Sequence, residues 1–281
     1  MKTVASLREE SLSEFMANRR LLFAPTFICK VSPFPEVIVS GQGGDTFSRE
    51  NGRDSVSVVC HDDYGMPYGI FCRFLLILIT TVGCVKKTTE IDLGSIAQVL
   101  DALRTPKSAE YYRAIRKQIL ALSHCIICIR HQEGNRIISI RNHLPVKESI
   151  SKKVPKGGFW PARIVLSGDF LADALRNAMP VKPEVLTSLR SPLALDVYLW
   201  ISWRSGSISG PLIRVGWLNL RNQFGSQTQS LRAFRSRFLR VLRRVELVYP
   251  ELSGRYSADA KHFTLLKLPS PVRRGRKPSC G

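Results

Sequence analysis

The chain contains two copies of one unit. "LLILIT" at 75–80 aligns with "YLWISW" at 198–203, and "EIDLG" at 90–94 with "IRVGW" at 213–217, both at an offset of 123. "RAIRKQIL" at 113–120 aligns with "RAFRSRFL" at 232–239 at an offset of 119, a drift that a difference in loop length explains. A repeat of this kind must satisfy the same packing twice, which removes most architectures from consideration.

The local signals give each copy the same order. "PYGIFCRFLLILITTVG" predicts a buried helix with Pro67 in its first turn. "TEID" at 89–92 is a short strand. Ser95 and Gln98 form a capping box that opens a helix ending before Pro106. Ser108 caps a third helix, and "CIICIRHQEGNRIISIRN" predicts a hairpin turning at Glu133, Gly134 and Asn135. In the second copy Ser191 and Pro192 open the buried helix, 212–215 is the short strand, and "GWLNLRNQFG" is a helix stopped by Gly225. "TQSLRAFRSRFLRVLRRV" is the last helix, before a hairpin with a long tip. Helix, strand, helix, helix, hairpin is the order of a winged helix-turn-helix. The expected class is therefore α+β, two tandem winged helix-turn-helix domains with small β-hairpin wings. Their expected bounds are 61–160 and 161–268. Residues 1–60 would form an N-terminal extension, with a short helix near 5–19 and a strand at 55–59. Residues 269–281 would be a basic disordered tail. The polar stretch 147–158, rich in Lys, Ser, Gly and Pro, reads as a linker or exposed loop.

Charge points to the partner. The 281 residues carry 42 Lys+Arg against 22 Asp+Glu, a net +20. From Ile201 to the end there are 16 Lys+Arg and 3 Asp+Glu, or +13. Such an excess favours a polyanion. The helix from Arg232 to Arg244 concentrates it. On a wheel of 3.6 residues, Leu231, Phe234, Phe238, Val241, Leu242 and Val245 share one face. Arg232, Ser236, Arg240 and Arg243 lie opposite, Arg237 and Arg244 flank them, and Arg235 sits nearer the apolar edge. Gln227, Thr228 and Gln229 precede the first turn, where a recognition helix meets base edges. Arg255 and Lys261 on the second hairpin complete the candidate DNA contacts of this copy. The first copy offers Arg113 and Lys117, with Glu110 beside them, a weaker basic face. A self-repelling basic face is better explained by a polyanion, DNA or RNA, than by solvent or an acidic protein partner.

Other chemistry is not expected. The Cys125–Cys128 pair is a lone CxxC on a strand, where positions i and i+3 face opposite ways, so no metal is expected. "HDD" at 61–63 has no second acidic cluster, and "GQGG" at 41–44 lacks the Lys and Ser/Thr of a phosphate loop. No cofactor or catalytic activity is expected. A nuclease or primase would need clustered carboxylates or histidines, and an RNA-binding role would need aromatic platforms. Seven cysteines without a secretory signal fit a reducing cytoplasm. The apolar run 74–85 is shorter than the roughly 20 residues of a membrane span, so no membrane partner is expected.

Three stretches go further. "FSRENGRDSVSVV", "GMPYGIFCRFLLILITTVG" and "SPLALDVYLWISWRSG…IRVGWLNLRNQFG…FRSRFLRVLRRV…YP" resemble the plasmid-encoded RepA replication initiators, over about residues 45–268. The resemblance implies binding to repeats at a plasmid origin, duplex opening, and recruitment of the host initiator and replicative helicase, with a switch between monomer and self-dimer. A winged-helix repressor binding an operator would share the same residues, so that alternative stays open from sequence alone.

Overall fold

The computed structural model describes residues 10–36, 46–133, 136–154, 158–207, 209–225 and 229–272. In chain order these form α1 (Leu12–Ala17), β1 (Leu22–Ala24), α2 (Thr26–Lys30), β2 (Thr46–Glu50), β3 (Asp54–Cys60), α3 (Gly69–Lys86), β4 (Glu90–Asp92), α4 (Ile96–Ala102), α5 (Ala109–Ser123), β5 (Cys125–Glu133), β6 (Arg136–His143), β7 (Val146–Val154) and β8 (Gly158–Leu166). The second half holds α6 (Gly168–Asn177), β9 (Met179–Val181), α7 (Val185–Ser188), α8 (Pro192–Ser207), β10 (Leu212–Gly216), α9 (Trp217–Phe224), α10 (Leu231–Val248), a 3-10 turn at Pro250–Leu252, β11 (Tyr256–Ala258) and β12 (His262–Leu266).

Helix starts follow the caps. Ser95 accepts from the Gln98 amide at 3.3 Å while the Gln98 side chain takes the Ser95 amide at 2.7 Å, the reciprocal box that the spacing predicts. Ser108 accepts from Tyr111 at the head of α5. α3 starts later than Pro67 suggests. Its first residue is Gly69, at φ 71°, a value that a side chain disfavours. Every residue of α3 from Cys72 to Gly83 is buried. A helix apolar on all sides needs neighbours on all sides. α3 is long and apolar enough to cross a membrane, but its apolar surface is used up within this protein's own core.

Sheet pairing corrects the expected wing of the first unit. β5 and β6 do form a hairpin, but β5 also pairs with β3, giving a four-stranded sheet in the order β2-β3-β5-β6. The short strand β4 pairs instead with β8, in a sheet ordered β4-β8-β7. The stretch read as a linker, 147–158, is therefore mostly β7. β7 is the outer strand of its sheet, where polar residues are tolerated along the unpaired edge. The second unit's sheet has the matching order β10-β12-β11. The two units thus share one sheet plan, and β2, β3, β5 and β6 are an addition to the first.

The N-terminal segment is also more than an extension. Phe15, Met16, Phe27, Ile28 and Cys29 lie in the common core. α1, β1, α2 and α3 have the same order as α6, β9, α7 and α8, each run starting at a capping serine, Ser11 or Ser167. β1 pairs with its counterpart β9 antiparallel, with Leu22 opposite Val181, Phe23 opposite Pro180 and Ala24 opposite Met179. The expected boundary at 160/161 falls inside β8, and the repeat boundary lies at Ser167 instead. Leu268 and Val272 are buried, and the Tyr249 hydroxyl donates to the Pro269 carbonyl, so the body extends past 268. The basic residues 273–281 lie outside the described residues.

Candidate nucleic-acid interface

α10 is built from its apolar stripe outwards. Ser230 caps it, accepting from the Ala233 amide at 3.2 Å. Phe234, Phe238, Val241, Leu242, Val245 and Val248 are buried. Phe238 is the hub of an aromatic cluster, with ring centroids 5.4 Å from Phe263, 5.7 Å from Phe234, 5.9 Å from Trp217 and 6.0 Å from Phe224. Leu231, expected in the stripe, is 38% exposed; the cluster starts one turn later, at Phe234.

That packing leaves Arg232, Ser236, Arg240, Arg243 and Arg244 exposed. No ion pair engages these four arginines among the described residues, whereas Arg237 pairs with Glu36 and Arg235 lies half-buried over the Trp217 ring at 5.5 Å. Arg235 therefore braces the helix as much as it faces a ligand. Of the three residues expected before the first turn, Gln227 and Thr228 lie outside the described residues. Gln229 directly precedes the cap, and its carbonyl accepts from Arg221 at 3.4 Å.

The hairpin β11–β12 carries Arg255 at its base and Lys261 at its tip, both exposed. The tip is held by Asp259, which accepts from the Lys261 and His262 amides and from Arg214, all at 2.7 Å. The backbone donors at Lys261 and His262, then Arg214, keep the Asp259 carboxyl well below the usual carboxylate range. The tip is thus a fixed turn that presents a lysine.

The first unit's α5 has a different surface. Arg113 and Lys117 are exposed, as expected, but they line a cleft of about 270 Å³ with Arg116, Asp63, Tyr64 and Leu120. Arg116 donates to the Phe159 carbonyl at 3.1 Å, and Lys117 lies 5.2 Å from the Tyr68 ring. Tyr64 stacks on His124 at 3.7 Å. Two of the three cations are thus partly engaged, so this face offers less free charge than α10.

Several positioning residues escaped the sequence reading. Arg49 on β2 reaches into the second unit and donates to the Gln223 and Gly225 carbonyls, at 3.3 and 3.0 Å, closing the end of α9 just before α10. Burial pushes the Arg49 pKa down to about 10, although Asp196 opposes the shift. Arg190 does the converse, donating to Thr105 Oγ1 and the Arg104 carbonyl between α4 and α5. The α4–α5 and α9–α10 connections are therefore each braced from the other half of the chain, a relation no local pattern encodes.

The fold defines a class. The chain is similar to the crystal structure of selenomethionine derivatives of domains 2 and 3 of RctB, at 12% identity and a TM-score of 0.55, over 94% of this chain and 99% of that one. A second structure of RctB domains 2–3 is similar at 14% identity and a TM-score of 0.50, over 87% of this chain and 97% of that one. At such identities the likeness is one of fold. No curated protein matches the sequence. The family described as plasmid-encoded RepA protein matches residues 66–212, just over half of the chain, and the chain belongs to that family of replication initiators.

Proposed function

We propose that the protein initiates plasmid replication by binding duplex DNA at repeated origin sites through two winged helices, with α10 as the principal reader and α5 as the second. The observation that carries this reading is the α10 face: Arg232, Arg240, Arg243 and Arg244 exposed on one rigid helix with no acidic partner among the described residues. Unpaired cations on one face repel one another, and phosphates relieve that repulsion. The matched sheet orders β4-β8-β7 and β10-β12-β11, each joining the short strand after α3 or α8 to a hairpin that follows α5 or α10, support the winged-helix assignment. Lys261 at the tip of the second hairpin is placed as a wing contact to the backbone.

In this reading the protein acts in the cytoplasm by binding alone, without catalysis, cofactor or metal. Bound origin DNA is opened locally, and the host initiator and replicative helicase are then recruited, with self-dimerisation controlling the active form. A plasmid that carries only this coding sequence and the DNA around it tests the reading. It should replicate, and footprinting should place the protein on repeats within that DNA. Failure to protect any part of it would remove the initiator reading.

A further inference from the structure

The aligned helices α3 and α8 touch at equivalent positions. Arg73 and Asp196 are separated by 123 residues, the same offset that aligns "LLILIT" with "YLWISW". Both are buried. A residue that meets its own counterpart lies beside the axis relating the two copies. The pairing of β1 with β9 is independent support, because its register pairs a repeated strand antiparallel with itself about Phe23 and Pro180. The two units are therefore related by an approximate dyad, and Arg73–Asp196 sits close to it.

The pair is unusually well specified. Arg73 Nε and Nη2 each hold one Asp196 carboxylate oxygen, at 2.7 and 2.8 Å. Ser32 donates to the same carboxylate at 2.6 Å. The guanidinium also donates to the Gly69 and Phe34 carbonyls, at 2.6 and 2.9 Å. Burial lowers the Arg73 pKa, but the Asp196 charge, the hydrogen bonds to it and the neighbouring Cys72 and Glu36 together outweigh that, so the Arg73 pKa is raised. A buried pair of this kind is weak evidence for stability, since apolar residues of similar volume often serve as well. It is strong on registration. Moving α8 along α3 by one residue's rise, about 1.5 Å, would break the fork, whereas an apolar contact would tolerate the slip. The reciprocal braces, Arg49 on the turn before α10 and Arg190 on the turn before α5, tie each basic helix to the same frame.

We propose that Arg73 and Asp196 set the distance and orientation between the two basic helices, and so fix the spacing at which the protein reads two DNA half-sites. The proposal rests on the DNA-binding reading above and adds spacing specificity to it. One inserted base pair moves the second half-site by about 3.4 Å and turns it by about 34°. A fixed frame cannot follow that displacement.

The test is selection from a library of random-sequence duplexes by the full-length chain, as wild type and as the double variant Arg73→Met with Asp196→Leu. The wild type should enrich two motifs at one spacing. The double variant should enrich the same motifs over several spacings. On the selected duplex, a one-base-pair insertion should weaken the wild type at least about tenfold and the variant no more than about twofold. If the variant keeps the single spacing, or the wild type shows two motifs without fixed spacing, the clamp is wrong. If the wild type enriches no motif, the DNA-binding reading fails, and the clamp with it. Should the double variant not fold, the isosteric Asp196→Asn replaces it. That variant should broaden the spacing in the same direction, and an unaltered distribution would overturn the proposal.

Discussion

α5 and α10 occupy equivalent places in two copies of one unit, yet they present different surfaces. Both begin at a capping serine and both bury an apolar stripe, α5 chiefly against α3 and α4 and α10 chiefly against α8 and α9. α10 then exposes four arginines with no ion-pair partner among the described residues, while α5 places its cations around a cleft shared with Asp63 and Tyr64 and spends some of them on Phe159 and Tyr68. The contrast teaches that scaffold and reader are separable here. Capping and core packing dictate where each helix stands, and the outward residues are free to differ. In the proposed DNA-binding reading the labour is unequal: α10 would grip phosphates, and α5 would make a lighter contact.

The largest effects should come from the frame that both helices share. Asp196→Leu alone strands the Arg73 charge in the core and should cost about 3–5 kcal/mol in a denaturant melt. The double variant with Arg73→Met should recover most of that loss. In the second unit, Phe238→Ala should cost about 3–5 kcal/mol through a cavity among Trp217, Phe224, Phe234 and Phe263. The loss should appear in thermal melts as early unfolding.

Next come the readers themselves. Arg232→Ala should leave the melting curve intact, weaken the cognate duplex by about 1–3 kcal/mol, and relax preference at one base position. Arg113 is its counterpart at the offset of 119, and Arg113→Ala should cost less than Arg232→Ala in the same titration. Equal losses would erase the distinction between the two faces. The smallest effect is expected at the hairpin tip. The Asp259 carboxyl is held below its ordinary value of 3.8, so it stabilises the fold above that value and the benefit fades as pH falls through the lower folded one. The wild type should therefore exceed Asp259→Ala in stability near neutrality, and the difference should vanish in strong acid.

Local features were readable from the sequence, and long-range ones were not. The capping box at Ser95, the buried run of α3 and the two-faced wheel of α10 each depend on residues a turn apart. The hairpin expected after α5 does form, as β5 and β6, but its place in a sheet other than that of β4 was not readable, because β5 and β6 make a good hairpin by themselves. Only the alternation of Val56 and Val58 on β3, buried against β5, reveals that this hairpin joins another sheet. At the site, the exposed arginines were legible, but the engagement of Arg237 was not, because its partner Glu36 lies 201 residues away. One long-range signal was present and unused. Arg73 and Asp196 are buried charges of opposite sign inside two apolar helices, at one repeat offset.

In the proposed reading, DNA affinity resides mainly in the free charge of α10. Salt titration of duplex binding measures it most directly, using the wild type, an α10 variant with Arg232, Arg240, Arg243 and Arg244 changed to Ala, and an α5 variant with Arg113 and Lys117 changed to Ala. With about 6–10 phosphate contacts, the wild type should show a slope of log K against log salt of roughly −5 to −9. The α10 variant should lose about 3–4 units of that slope, and the α5 variant about 2 at most. A flat wild-type profile, or an α10 variant that keeps the full slope, would contradict the claim.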